Sequence, residues 1–270
     1  ARFSSPESQK RYLHVYDAIR QQRWPVQSED RYIDTAFGRT HVLVSGPVDA
    51  PPLVLLHGFS ATALMWGSHI ELLSKQFRCY AIDTVTDAGR SEQTASVRNQ
   101  ADYVAWLREV YAGLNLSRAR VIGLSYGGCT QAGLGAAGAP GIAAQFISEG
   151  PNNYHDGAMR QGGAMEYRFF IYAYRMAASS RQAAADPVVK ASLAKAHKDI
   201  GKILKYYPMK TLVSPLRHTP GIEKWVNDVL KHGEYRPYWS TSQALAPQEF
   251  YDQYPDVPVY WLSGWYDTYI

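Results

Sequence analysis

Only two cysteines, Cys79 and Cys129, occur in 270 residues. Each sits in an apolar or small-residue stretch, so both read as small buried side chains and not as a disulfide. Two thiols without paired histidines nearby cannot complete a four-ligand shell, and no metal is expected. No apolar run approaches the roughly 20 residues needed to cross a bilayer, which sets a membrane-spanning role aside. Residues 1 to 23 are polar and helix-patterned with no apolar signal core, so the expected compartment is cytoplasmic, a leader removed beforehand being the alternative. Charge is not extreme either, at a formal net value of +4. Much of the excess lies in Lys190, Lys195, Lys198, Lys202, Lys205 and Lys210, several of them at helical spacing opposite Val189, Leu193, Ile200 and Ile203. That is the solvated side of an amphipathic helix, and no nucleic-acid partner is expected from it.

What is there centres on one pentapeptide. Gly123-Leu124-Ser125-Tyr126-Gly127 follows the apolar run 119–122 and precedes a small-residue stretch, 128–137. The order reads as strand, sharp turn and helix, with a serine at the apex. Glycine is needed on both sides because a bulkier neighbour would clash in a turn tight enough to push the hydroxyl out past the sheet. Ser125 is therefore the candidate nucleophile; a glycine-rich packing turn is the plainer alternative.

Around it the chain alternates short apolar strands with amphipathic helices. Strands are expected at 40–45, 53–56, 79–83, 119–122, 144–148 and 257–262, and helices at 8–22, 64–76 and 101–116. This alternation predicts an α/β fold with a mostly parallel, doubly wound sheet. Between about 152 and 253 the rhythm changes to helical patterning with many aromatics, over 163–178, 187–206 and 221–232. The expected organisation is a core over 1–150, a helical cap insertion over 151–252, and a return to the core over 253–270. At 270 residues one core with an insertion is enough to account for the length.

In a parallel sheet the functional loops gather at the carboxyl ends of the strands. His57-Gly58-Phe59-Ser60 ends the 53–56 strand, where the Phe59 N–H is placed to converge with the N–H of Tyr126 as an oxyanion hole. His57 itself is expected to shape that loop, not to move protons. Asp267, after the last strand, is the candidate carboxylate for orienting an imidazole, with a loop or capping role as its alternative. Trp265 and Tyr266 are the expected pocket neighbours.

LVLLHGF, AIDTVTDAGRS and VIGLSYGG, within residues 1 to about 128, resemble single-domain carboxylesterases of the α/β-hydrolase superfamily. GLSYGGCTQ, ISEGPNNYHDGAMRQGGA and DVPVYWLSGWYD, from about 124 to 270, resemble the cocaine esterase and X-prolyl dipeptidyl aminopeptidase group. The two meet at the Ser125 turn, the pattern of a recombined or truncated chain. Both resemblances imply a serine acyl hydrolase without metal or organic cofactor, with Ser125 as nucleophile, Asp267 as acid, and Phe59 and Tyr126 as oxyanion donors.

The match is incomplete at one place. The superfamily order is serine, acid, then histidine, whereas the last of the eight histidines here is His232, before Asp267. The final strand and its base are thus expected to be missing, turnover through Ser125 to be impaired, and an exposed sheet edge to offer a route to self-association. His155, after the 144–148 strand, is the candidate substitute base. The first reading is a serine hydrolase of small-molecule esters or amides. The second is a non-catalytic binding or structural chain, or a fragment. A dehalogenase or epoxide hydrolase would need a carboxylate where Ser125 stands.

Overall fold

In the computed structural model the described residues are 3, 5–58, 61–98, 100–203 and 210–264. They divide into two compact units, one of residues 1–153 with 241–270 and one of residues 154–240. The second unit is narrower than the insertion expected from the sequence, because 241–252 packs with the first.

The first unit opens with α1 (Pro6–Arg23), whose start follows from its sequence: Ser5 and Ser8 exchange side-chain hydrogen bonds with each other's backbone N–H, and proline occupies the first turn. Then come β1 (Glu29–Thr35), β2 (Gly38–Ser45), β3 (Pro52–Leu56), a 3₁₀ segment (Ala63–Ser68), α2 (Ile70–Leu73), β4 (Arg78–Ile82), the two-residue β5 (Glu92–Gln93), α3 (Gln100–Gly113), β6 (Ala119–Leu124), α4 (Tyr126–Ala136) and β7 (Ile142–Ser148). The sheet is eight-stranded in the order β1-β2-β4-β3-β6-β7-β10, with β10 (Val259–Leu262) last and β5 beside β2. β3, β4, β6, β7 and β10 run parallel, while β1 and β2 are antiparallel to each other and β2 to β4.

Burial of both faces explains the continuous apolar runs. In β2 and β3, Val42, Val44, Val54 and Leu56 pack with Trp106, Val110 and Tyr111 of α3 on one side. Leu43, Leu53 and Leu55 pack with Tyr16, Trp24, Trp66 and Ile70 on the other. Cys79 and Cys129 are buried and unbonded to each other, and burial pushes the Cys79 thiol up to about 12.

The second unit holds a small hairpin of β8 (Arg160–Gln161) and β9 (Ala164–Met165), then α5 (Arg168–Ala178), α6 (Arg181–Ala185), α7 (Pro187–Lys198), α8 (Ile200–Ile203), α9 (Pro220–Lys231) and α10 (Pro237–Ser240). Its own core gathers Phe170, Ala173, Tyr174, Leu193, Leu216 and Val226. The helix expected over 187–206 is interrupted at Asp199, whose non-helical backbone ends α7 while its carboxylate takes Lys195 and Lys202. Lys190, Lys195 and Lys198 face solvent opposite the buried Leu193.

Candidate active site

Five parallel strands bring their carboxyl ends to one rim, and the central one carries Ser125. Its backbone sits at φ 57° and ψ −120°, a corner that L-residues seldom occupy and that stores strain. The Ser125 N–H donates to the Ser148 carbonyl at 2.9 Å, tying the corner to β7. α4 starts at once, with the N–H groups of Gly128 and Cys129 returning to the Ser125 carbonyl at 2.8 and 3.2 Å. The flanking glycines are sterically required: a Cβ on Gly123 would lie 2.2 Å from the Gly127 carbonyl oxygen, and one on Gly127 would lie 2.5 Å from that of Leu56. Ser125 is half-buried, and among the described residues its hydroxyl makes no hydrogen bond.

Gly58, two residues past the end of β3, lies beside this serine. A Cβ built there would lie 3.5 Å from Ser125 Cβ and 3.9 Å from its Oγ, ordinary van der Waals contact, so the two residues are neighbours. His57 holds the turn from beneath. Its Nε2 accepts from the Thr84 N–H at 3.1 Å, which leaves the proton on Nδ1, and Nδ1 donates to the Gly58 carbonyl at 2.8 Å. With both nitrogens engaged and 3% exposure, His57 shapes the loop.

Asp83 anchors the neighbouring turn after β4. It is fully buried; Oδ2 takes the Tyr16 hydroxyl at 2.9 Å, the Arg90 N–H at 2.9 Å and His41 Nδ1 at 2.8 Å, and Oδ1 takes the Ala63 N–H at 2.7 Å. Burial pushes this carboxyl up, but His41 and the two backbone donors outweigh it and hold it below the usual carboxylate range. Gly89 must be glycine because at φ 128° its Cβ would lie 2.4 Å from Asp83 Cγ. The physical content of the AIDTVTDAGRS stretch is thus a buried carboxylate wrapped by its own loop.

The sequence-derived candidates are distributed as follows. Ser125 and the start of α4 at Tyr126 lie on the rim, where the Tyr126 N–H is the first of an 11-residue helix. Phe59, Trp265, Tyr266 and Asp267 lie outside the described residues. His155 belongs to the second unit, with Nδ1 2.6 Å from Asp156 Oδ1 and Nε2 3.0 Å from the Gly233 carbonyl, so both ring nitrogens are engaged there. Glu149 was not legible beforehand. One residue past β7, it too adopts φ 57°, and among the described residues its carboxylate makes no hydrogen bond or ion pair. Nothing in its sequence context signals a left-handed backbone.

A parallel central sheet with a strained serine between strand and helix defines the class as α/β-hydrolase. Two solved structures share that fold over nearly their whole length. Carboxylesterase CesB (YbfK) from Bacillus subtilis has a TM-score of 0.59 at 22% identity, covering 96% of this chain and 91% of that one. Naproxen esterase from the same organism has a TM-score of 0.58 at 21% identity, covering 97% and 92%. Within the class, the chain belongs to the X-Pro dipeptidyl-peptidase (S15) family, whose profile matches residues 85–270. In sequence it is also similar to carboxylesterase YbfK of Bacillus subtilis, 41% identical over 126 residues, which is 47% of this chain and 42% of that protein. A second relative, the uncharacterized carboxylesterase nap of the same organism, is 44% identical over 105 residues, 39% of this chain and 35% of that protein. The chain thus matches less than half the length of these curated relatives.

Proposed function

We propose that the protein is a serine hydrolase that cleaves small carboxylic esters or amides by acyl transfer through Ser125. The Oγ adds to the acyl carbon while its proton passes to a base. The bond to the leaving alcohol or amine then breaks, with the proton going to that group, and water releases the acid from the acyl-enzyme. The observation carrying this reading is the strained Ser125 corner, with Gly58 as its neighbour and a helix start beside it. Nothing in the chemistry calls for a metal or an organic cofactor. The carboxylesterase relatives and the S15 family favour ester and amide substrates over other acyl donors. We assign Asp267 the role of acid, Phe59 and Tyr126 that of oxyanion donors, Trp265 and Tyr266 that of pocket neighbours, and the second unit that of a cap.

The base is the weakest part of the constellation. Among the described residues of the first unit, His41 and His57 have both ring nitrogens engaged elsewhere, and the engagement of both His155 nitrogens within the second unit argues against that residue as substitute. This favours a second reading in which Ser125 acylates without rapid turnover, or the chain binds ligands without reacting. Hydrolysis of p-nitrophenyl acetate separates the two. Release of p-nitrophenol that continues past one equivalent and is lost in Ser125→Ala supports the enzyme; release unaffected by Ser125→Ala refutes it.

A further inference from the structure

Gln131 closes the GLSYGGCTQ stretch, and no step of the proposed reaction uses it. It sits on α4 and is fully buried. Its Nε2 donates to two main-chain carbonyls, that of Phe146 in β7 and, at 3.3 Å, that of Gly123 in β6. Its Oε1 is buried with no hydrogen-bond partner among the described residues. Turning the amide over would set that oxygen against both carbonyls, so the two donated bonds fix its orientation. A buried oxygen left unpartnered costs stability. What distinguishes this side chain from a methionine of similar size is therefore its donors, not its packing.

The two carbonyls lie close to the nucleophile along the chain. Gly123 and Phe146 each come two residues before the pair that ties the corner, in which the Ser125 N–H donates to the Ser148 carbonyl at 2.9 Å. β6 is paired with β3 and β7, and β7 with β6 and β10, so both carbonyls belong to strands flanked on either side and the glutamine adds to the sheet's own ladder. A Cβ on Gly123 would lie 2.8 Å from Gln131 Nε2, so glycine is what admits the amide. The helix is anchored at the same residue: Gln145 Nε2 donates to the Gln131 main-chain carbonyl at 2.7 Å, and the Tyr254 hydroxyl donates to Gln145 Oε1 at 2.5 Å. A backbone in a sparsely populated region persists only where its surroundings over-determine it.

We propose that Gln131 is the positioning residue that holds the strained Ser125 corner, its side-chain amide clamping α4, β6 and β7 together. The clamp stands on this geometry alone; its catalytic consequence rests on the hydrolase reading. Gln131→Met keeps the size and removes both donors.

The first readout is a double-mutant cycle in urea unfolding with Ser125→Gly, which relieves the strain. No hydrogen bond joins Gln131 to the Ser125 hydroxyl, so without the clamp the two substitutions should act additively. With it, Ser125→Gly raises the urea midpoint of the wild type, and raises that of Gln131→Met by less than about half as much, because the corner has already relaxed. An equal rise in both backgrounds, or no rise in the wild type, overturns the proposal. Should Gln131→Met fail to fold, the same cycle is run with Gln131→Glu, which keeps the shape and loses at least one donated bond. The second readout is kinetic. In Gln131→Met, kcat for p-nitrophenyl acetate should fall about tenfold with KM changed less than about twofold, since a displaced nucleophile is felt in the transition state more than in the ground state. An unchanged kcat, or a change confined to KM, overturns the catalytic role. A wild type without Ser125-dependent turnover removes that role together with the hydrolase reading, whereas the urea cycle still decides the clamp.

Discussion

Ser125 combines a half-buried hydroxyl, proposed as the nucleophile, with an unfavourable backbone, and the two are separable by substitution. Its φ of 57° and ψ of −120° suit glycine. Ser125→Gly is expected to be about 1 kcal/mol more stable than the wild type in urea unfolding, strain relief outweighing the larger entropy of the unfolded glycine chain. Ser125→Ala keeps the strain and should stay within about 0.5 kcal/mol of the wild type. Equal stability of all three proteins would mean that the corner is unstrained. At Asp83 the stakes are higher, because four donors converge on one buried carboxylate. Asp83→Asn is expected to cost about 3 kcal/mol, the loss typical of a broken buried pair. The carboxyl's lowered folded-state pKa makes its contribution present above the unfolded value, near 3.9, and lost as pH falls through the folded one. Wild-type stability should therefore fall more steeply than that of Asp83→Asn below about pH 4. Parallel curves would contradict the assignment.

Among the elements, those buried on both faces were legible in the sequence. β3 and β4 announce themselves as near-continuous apolar runs, β6 shows apolar residues around the exposed Arg120, and the glycines around Ser125 mark the turn because close packing leaves room for nothing else. β1 was not legible. It is an edge strand whose EDRYIDT sequence has four charged residues among seven, three of them consecutive, and alternates half-buried with exposed residues from Arg31 onward, so it lacks the apolar run. The helix expected over 64–76 is instead a 3₁₀ segment and a short α2, and the break falls near Gly67, where a Cβ would lie 2.4 Å from the Arg23 carbonyl oxygen at the end of α1. Such an approach depends on a distant element and leaves no local signature. The Asp83 loop offers an element-scale test of how glycine is used. Gly89→Ala forces a Cβ into Asp83 and should cost more than about 2 kcal/mol. Gly162→Ala, at φ 55° with nothing within 4 Å, should cost only the left-handed strain of about 1 kcal/mol. Thermal denaturation of the two variants reads the difference, and equal shifts would contradict a steric role for Gly89.

On the scale of the whole molecule, two units with separate cores share one chain. The second is a helical body built around Phe170, Tyr174, Leu193 and Val226, and separate cores permit separate unfolding. Leu193→Ala removes a fully buried side chain and should cost about 2–5 kcal/mol. In calorimetry that loss is expected in one transition while the transition sensitive to Asp83→Asn stays in place; a single transition moved by both variants would mean that the units unfold together. The proposed chemistry lies in the first unit, and the central claim is that its Ser125 hydroxyl is a reactive nucleophile. The most direct measurement is labelling with a fluorophosphonate probe, followed by peptide mass spectrometry. The account predicts one adduct, on Ser125, formed by the folded protein and abolished by Ser125→Ala or by prior unfolding in urea. No adduct on a folded wild type, or an adduct that persists in Ser125→Ala, would contradict it.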